Sequence, residues 1–490
     1  MVTKELEVWA DSFHEGQWCC ENIAIIMKKH GFNIQHKYIN GFQPYFIMEK
    51  DNIILKFIVY GSYKSWNNRP QKINELIEWG KPDFVIYDAD EDKLILAVEE
   101  TAATTTGNQS LQRCERQYGS SRFKIPYWYL LSEFSIHSDG GVRKDSIWPM
   151  VAALKLSILN TTPCIVVHYS DENNLEDYSA GKGIKLLFNS ISRLIINYVT
   201  NQILYQDMES IICEQYSDML KFLSSQWANI VDYMPDLDMI NNPDTAKEIT
   251  NYVLNKTAVN KEKIKNFLHW PCLSELPEEL RNKQKGNSLL KYDKLMELLE
   301  NDVTNKKAYT LSSNAGSGKP CSTAQIESYI KAQKNKFDTS TINPKAKFSL
   351  EVEDFPKTES GNHHITTAKN IVYLYDKWSD IKKSINTAYP RLEGKLNFPE
   401  DMPVFVYVSN SVTLGRIFGD PFTGQLAAYA TAFGHFDNKK RIVLAYFPHQ
   451  VHSQINPRRM NKGLTLMKEL TDIIIFHGGV AINLNQGEIL

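Results

Sequence analysis

Apolar and polar positions along the chain alternate between a helical and an extended rhythm. In residues 17–31, "QWCCENIAIIMKKHG", Trp18, Ile23, Ile26 and Met27 recur near helical spacing, and Gly31 at the end suits a helix C-cap. "FNIQHKYI" and "NIILKFIVYG" then read as strands and "PQKINELIEWG" as a short helix. Residues 81–101, "KPDFVIYDADEDKLILAVEET", form a strand, an acidic turn around Asp88 to Asp92, and a second strand. Beyond it the pattern predicts a helix in "NQSLQRCERQYG", a strand in "IPYWYLL", a helix in "SIWPMVAALKLSIL", a strand in "TPCIVVHYS" and a helix in "GIKLLFNSISRLIINYVTNQ". The unbroken apolar runs at 125–131 and 163–168 mark strands covered on both faces.

This pattern predicts an α/β fold in four parts. Residues 1–205 form an α/β core with a mixed sheet, and 206–300 form a helical middle region without a strand. Residues 301–367 read as a polar, irregular linker, and 368–490 as a second α/β domain with strands in "NIVYLYDKW", "PVFVYVSN", "RIVLAYFP" and "DIIIFHGGVAINL". A length of 490 residues accommodates such a division.

Composition narrows the class. The chain is 42% hydrophobic and 23% charged, which suits a globular protein. A net charge of -2 lends no global support to nucleic-acid binding, though a local basic face remains compatible with it. Seven scattered cysteines lack CxxC spacing, so neither a disulfide framework nor a zinc knuckle is expected. "MVTKELEVWADSF" lacks the pattern of a signal peptide, and no apolar run is long enough to span a bilayer, so the expectation is a cytoplasmic protein with no membrane contact.

Candidate chemistry concentrates in the hairpin at 81–101. Its fold-back sets Asp83, after Pro82, close to Glu99 or Glu100. Two carboxylates at the mouth of an apolar sheet repel each other and lose hydration, a cost that a cation between them offsets. Mg²⁺ needs only one or two carboxylates and retains several waters.

The proline–aspartate pair, the apolar hairpin and the "EET" ending resemble the core of the PD-(D/E)XK nuclease superfamily, which includes restriction endonucleases and phage-defence nucleases. The order of a helix, three strands, a helix and a further strand resembles it too, over roughly residues 10–170. The resemblance implies a metal-dependent endonuclease acting on DNA, similar to a type II restriction enzyme. Asp83 and Glu99 would then be ligands of Mg²⁺. The family's lysine should stand at position 101, where this chain has Thr101. A replacement cation could come from Lys81 on the same strand, from Lys56 in the neighbouring strand, or from Arg113 or Arg116. These two arginines share a helical face with Gln109, and Gln112 is a further polar candidate. Glu15 or Glu21 of the first helix could complete the site. Without a replacement cation, the alternative is a nuclease-like fold that binds nucleic acid or protein without cutting. A salt bridge from Glu99 or Glu100 to Arg113 would equally explain the acids without chemistry.

Other motifs are weaker. "SNAGSGKPCS" departs from a phosphate-binding loop, with Ser313 where glycine is required, Pro320 after Lys319, and no apolar strand before it. His363 and His364 lack fixed-spacing partners for a metal. Gly415, Gly419 and Gly424 precede an Ala-rich helix and suit tight backbone packing. Arg458, Arg459 and Lys462 in "PHQVHSQINPRRMNKG" are the expected phosphate contacts to DNA, and a two-fold recognition site would call for a homodimer.

Overall fold

A computed structural model describes residues 2–101, 110–132, 148–169, 182–201, 294–302, 306–313, 320–338, 368–411, 420–433, 442–447, 462–476 and 481–490, with short stretches between them. The chain divides into two units, Met1–Leu223 and Ser224–Leu490.

In the first unit, β1 (Val2–Ala10), β2 (Asn33–Ile39), β3 (Gln43–Lys50), β4 (Ile53–Tyr60), β5 (Phe84–Asp88), β6 (Lys93–Thr101), β7 (Tyr127–Ser132) and β10 (Cys164–Tyr169) form one mixed sheet. A small hairpin of β8 (Phe134–Ile136) and β9 (Val142–Lys144) stands apart from it. The sheet order is β10-β7-β6-β5-β1-β4-β3-β2. β1 runs parallel to β4 and antiparallel to β5, while β6, β7 and β10 are mutually parallel.

Helices cover both faces. Phe84, Ile86, Leu96 and Val98 of the hairpin share a core with α1 (Phe13–Lys29) and α5 (Lys182–Asn201). The opposite face carries α2 (Gln71–Trp79), α3 (Cys114–Arg122) and α4 (Trp148–Asn160). Coverage on both sides explains why all of β5 is buried and why its sequence is apolar without alternation. α1 begins at Ser12, whose hydroxyl accepts the Glu15 N–H at 3.1 Å, and Gly31 beyond its end has φ 87°.

The first unit differs from the sequence reading in three respects. β1, ahead of α1, and β3 went unrecognised, so five strands lie between α1 and α3 where the pattern read four around the expected short helix α2. β1 is inserted between β4 and β5, which removes Lys56 from the strand next to Asp83. The unit also runs past residue 205, because the Gln215 side chain donates to the Cys164 carbonyl and the Tyr205 hydroxyl donates to the Thr161 carbonyl.

The second unit is also α/β. Strands Lys306–Ser313, Ala368–Tyr375, Val404–Ser411, Ile442–Phe447, Ile473–Phe476, Ala481–Asn483 and Glu488–Ile489 form a seven-stranded sheet in chain order. Two segments of the expected linker are regular, the edge strand Lys306–Ser313 and the helix Thr323–Asp338. In "KKAYTLSS" the weak alternation suffices because an edge strand needs pairing on one side only. Most of the middle region lies outside the described residues; its last helix, Lys294–Asn301, packs through Leu295 and Leu299 into the core beneath this sheet.

Candidate functional site

The β5–β6 register sets Phe84 opposite Val98, so one further step places Asp83 beside Glu99. Backbone contacts fix that end of the hairpin. The Glu100 N–H donates to Asp83 Oδ2 at 2.6 Å, and the Asp11 N–H donates to the Asp83 carbonyl at 2.9 Å. The buried Tyr63 hydroxyl lies 3.1 Å from the Trp9 carbonyl and 3.0 Å from that of Pro82, tying β1 to the segment that carries Asp83.

Alternation then divides the acids. Glu99 is fully buried on the α3 side, and Glu100 is half-buried on the other, where the charge of Glu15 on α1 reaches it. Of the two acids expected from the first helix, Glu15 is held at the Ser12 cap and acts on Glu100 only through its charge. Glu21 is exposed and accepts from Gln17 instead.

Arg116 projects from α3 into this group. Its guanidinium Nη1 is hydrogen-bonded to Glu99 Oε1 and lies 3.8 Å from Asp83 Oδ1. Arg113, which caps α3, brings Nη1 within 3.4 Å of the same Glu99 oxygen. The two arginines therefore converge on the acids, while the expected stripe through Gln109 begins outside the described residues and α3 itself starts only at Cys114. Gln112 is half-buried in the turn before α3, and Lys81 is half-buried ahead of β5, not within a strand. Thr101 is buried at the end of β6.

A glycine that sequence reasoning overlooked sets the approach of α3. A Cβ at Gly80 would lie 2.3 Å from Arg116 Cγ and 3.0 Å from its Cα, so only glycine leaves room for the arginine stem. Gly119, one turn along α3, packs against Trp79 in the same way, with 2.5 Å between the positions a Cβ and the Trp79 Cβ would take.

The electrostatics are those of carboxylates crowded in a poorly hydrated place. Burial, then the charge of Glu99, push the Asp83 carboxyl well above the usual range, against the Glu100 N–H and Arg116. Burial also pushes Glu99 up, and Arg116 and Arg113 pull it back. Glu100 is pushed up to about 7 by burial, then by Glu99 and Glu15. Burial opposes charge on Arg116, but Glu99, Glu115 and Asp83 outweigh it and hold the guanidinium protonated. Glu99 Oε2 is buried and has no hydrogen-bond partner among the described residues.

Among the described residues, no three His, Cys, Asp or Glu side chains group as a metal site. The pair Asp83 and Glu99 still fits Mg²⁺, which requires one or two carboxylates, and the unbonded Glu99 oxygen offers a ligand atom.

The remaining motifs are placed as follows. A strand, Lys306–Ser313, does precede the glycine-rich loop, but it is an antiparallel edge strand and the departures at Ser313 and Pro320 stand. His363 is buried, with Nε2 3.2 Å from Thr323 Oγ1, in a two-residue strand pairing with Pro320–Cys321. Gly415 and Gly419 lie outside the described residues, and Gly424 falls within the helix Asp420–Phe433. Arg458 and Arg459 also lie outside them, and Lys462 opens the helix Lys462–Leu470. Among the described residues no helix is long and apolar enough to cross a membrane.

The sequence matches no protein-family model and no curated protein. Among solved structures, the chain is similar to the cytosolic domain of the T. maritima FeoB iron transporter in GDP form II, at 11% identity over 54% of this chain and 89% of that one. The TM-score of 0.21 is too low to carry an inference. The structure itself defines the class: a two-unit α/β protein with an acid–arginine centre at the end of a buried hairpin.

Proposed function

We propose that the first unit is a metal-dependent endonuclease core acting on DNA, of the kind found in restriction and phage-defence nucleases. The observation that carries this reading is the meeting of Asp83 and Glu99 at one end of the β5–β6 hairpin. The crossover through α3 to a parallel β7 supports it, since that is the element order expected of such a core.

In this reading Asp83 and Glu99 would hold Mg²⁺. The ion, when bound, supplies an activated water and stabilises the departing oxygen. The chain's own residues do the rest. Glu100, with its carboxyl at about 7, is able to take up a proton near neutral pH. Arg113, whose side chain is 34% exposed, is the cation best placed to meet a phosphate from solvent and offset its growing charge. Arg458, Arg459 and Lys462 would grip the DNA backbone, a homodimer would present two such centres to a symmetric site, and the protein would act in the cytoplasm.

One observation favours a second reading. The Arg116–Glu99 ion pair neutralises the buried acid by itself, which suits a nuclease-like fold that binds without cutting. Incubation of the full chain with mixed DNA substrates, in Mg²⁺ and in EDTA, separates the two. Cleavage in Mg²⁺ alone supports the nuclease. Binding without cleavage under every divalent cation overturns it.

A further inference from the structure

We infer that Arg116 competes with a divalent cation for the carboxylates of Asp83 and Glu99, so that the ion enters as the guanidinium leaves. This rests on the reading of those two acids as metal ligands.

The competition follows from which oxygens are engaged. Asp83 Oδ2 already accepts the Glu100 N–H. Arg116 Nη1 spans the other Asp83 oxygen, Oδ1, and Glu99 Oε1. A metal bridging the two side chains would need Asp83 Oδ1 and would share the Glu99 carboxylate with Arg116 whichever of its oxygens it took, at distances of about 2.1 Å for Mg²⁺. Its charge would then lie within a few ångströms of a guanidinium that is only 8% exposed, where solvent screens repulsion poorly. Both cations cannot keep full contact with the pair.

The local packing limits how Arg116 yields. Gly80 lies against its Cγ and Cα, which confines the stem, so movement falls to the torsions beyond Cγ. A receiving group is at hand: Glu115 Oε1 lies 4.0 Å from Arg116 Nε, and that nitrogen makes no hydrogen bond among the described residues. Rotation toward Glu115 would exchange one carboxylate partner for another inside the protein. Glu99 would be left with Arg113 at its rim and its two oxygens for the metal.

A purely structural ion pair makes the opposite prediction. If Arg116 only organises the acids, its loss should disorder them and weaken metal binding. If it competes, its loss should strengthen binding.

Titration calorimetry with Mn²⁺ alone, on the full chain and without nucleic acid, tests this. Arg116→Gln should bind Mn²⁺ about tenfold or more tightly than the wild type, since a neighbouring cation shifts a carboxylate's affinity by that order. The Asp83→Asn, Glu99→Gln double variant should not bind. Should Arg116→Gln fail to fold by circular dichroism, Gly80→Ala keeps the charge but displaces the stem, and it too should bind more tightly. Wild-type affinity, or weaker, in the folded variant overturns the competition and leaves the metal reading in place. No Mn²⁺ binding in the wild type or in either variant overturns both.

Discussion

At the residue scale, each charged group of the site has a distinct expected effect. Asp83→Ala and Glu99→Ala should each reduce Mg²⁺-dependent cleavage by several kcal/mol of transition-state stabilisation, on the order of 10³ in rate. Single-turnover assays on DNA check this, and full activity in either variant would refute the assignment. Arg113→Ala should slow cleavage far more than it weakens DNA binding, because an interaction made in the transition state affects rate before affinity. Equal losses in rate and affinity would make Arg113 a docking residue. Glu100 gives a pH signature. Its folded carboxyl sits at about 7, above the ordinary value of 4.5 that the unfolded chain retains. Between those values the folded state holds a proton that the unfolded state has lost, so this group's contribution to stability is full below about 4.5 and disappears as pH rises through 7. Urea unfolding across that window should show stability falling with pH, with a shallower fall in Glu100→Gln. Part of this was legible in the sequence: Asp83 beside Glu99 or Glu100 from the hairpin, and Arg113 and Arg116 from helical spacing. The role of Gly80 was not, because it exists only once α3 lies across the end of α2.

At the element scale, the helices and buried strands of the first unit follow their sequence rhythm, and the misses have separate causes. β1 does alternate, with Leu6, Val8 and Ala10 buried, but its partners β4 and β5 lie some fifty to eighty positions away, and pairing at that distance leaves no local mark. β3, "QPYFIMEK", carries a proline at its second position and reads locally as a turn between its neighbours. The bulge in the hairpin was equally hidden. Tyr87 faces Leu94 while Ile86 faces Leu96, so Ile95 is an extra residue that resets which side chains share a face with Glu99. The packing of α2 against α3 is the element-level feature on which the arginines depend. Gly119→Ala should force α3 from Trp79, with a loss of about 1–3 kcal/mol in urea unfolding. An unchanged midpoint would show that the two helices have slack.

At the scale of the whole molecule, the first unit should stand alone. A fragment ending at Leu223 keeps its own sheet, covered on both faces, and should unfold cooperatively. It should bind DNA poorly if the grip lies in the second unit. Neutralising Arg458, Arg459 and Lys462 in the full chain should flatten the salt dependence of binding by up to about 0.9 in log–log slope for each phosphate left without its cation, and unchanged slopes would deny those residues that role. The position of β1 has a consequence for misassembly. It is the keystone of the eight-stranded sheet, the one strand that joins β2–β4 to β5–β7 and β10. Removal of residues 2–10 by a protease would bare the flanks of β4 and β5 at once, two apolar edges with a full row of open backbone donors and acceptors. The nearest available filler for that slot is the same strand on another molecule. Clipped protein should therefore form strand-exchanged oligomers in proportion to its concentration, and a synthetic peptide of residues 2–10 should restore the monomer.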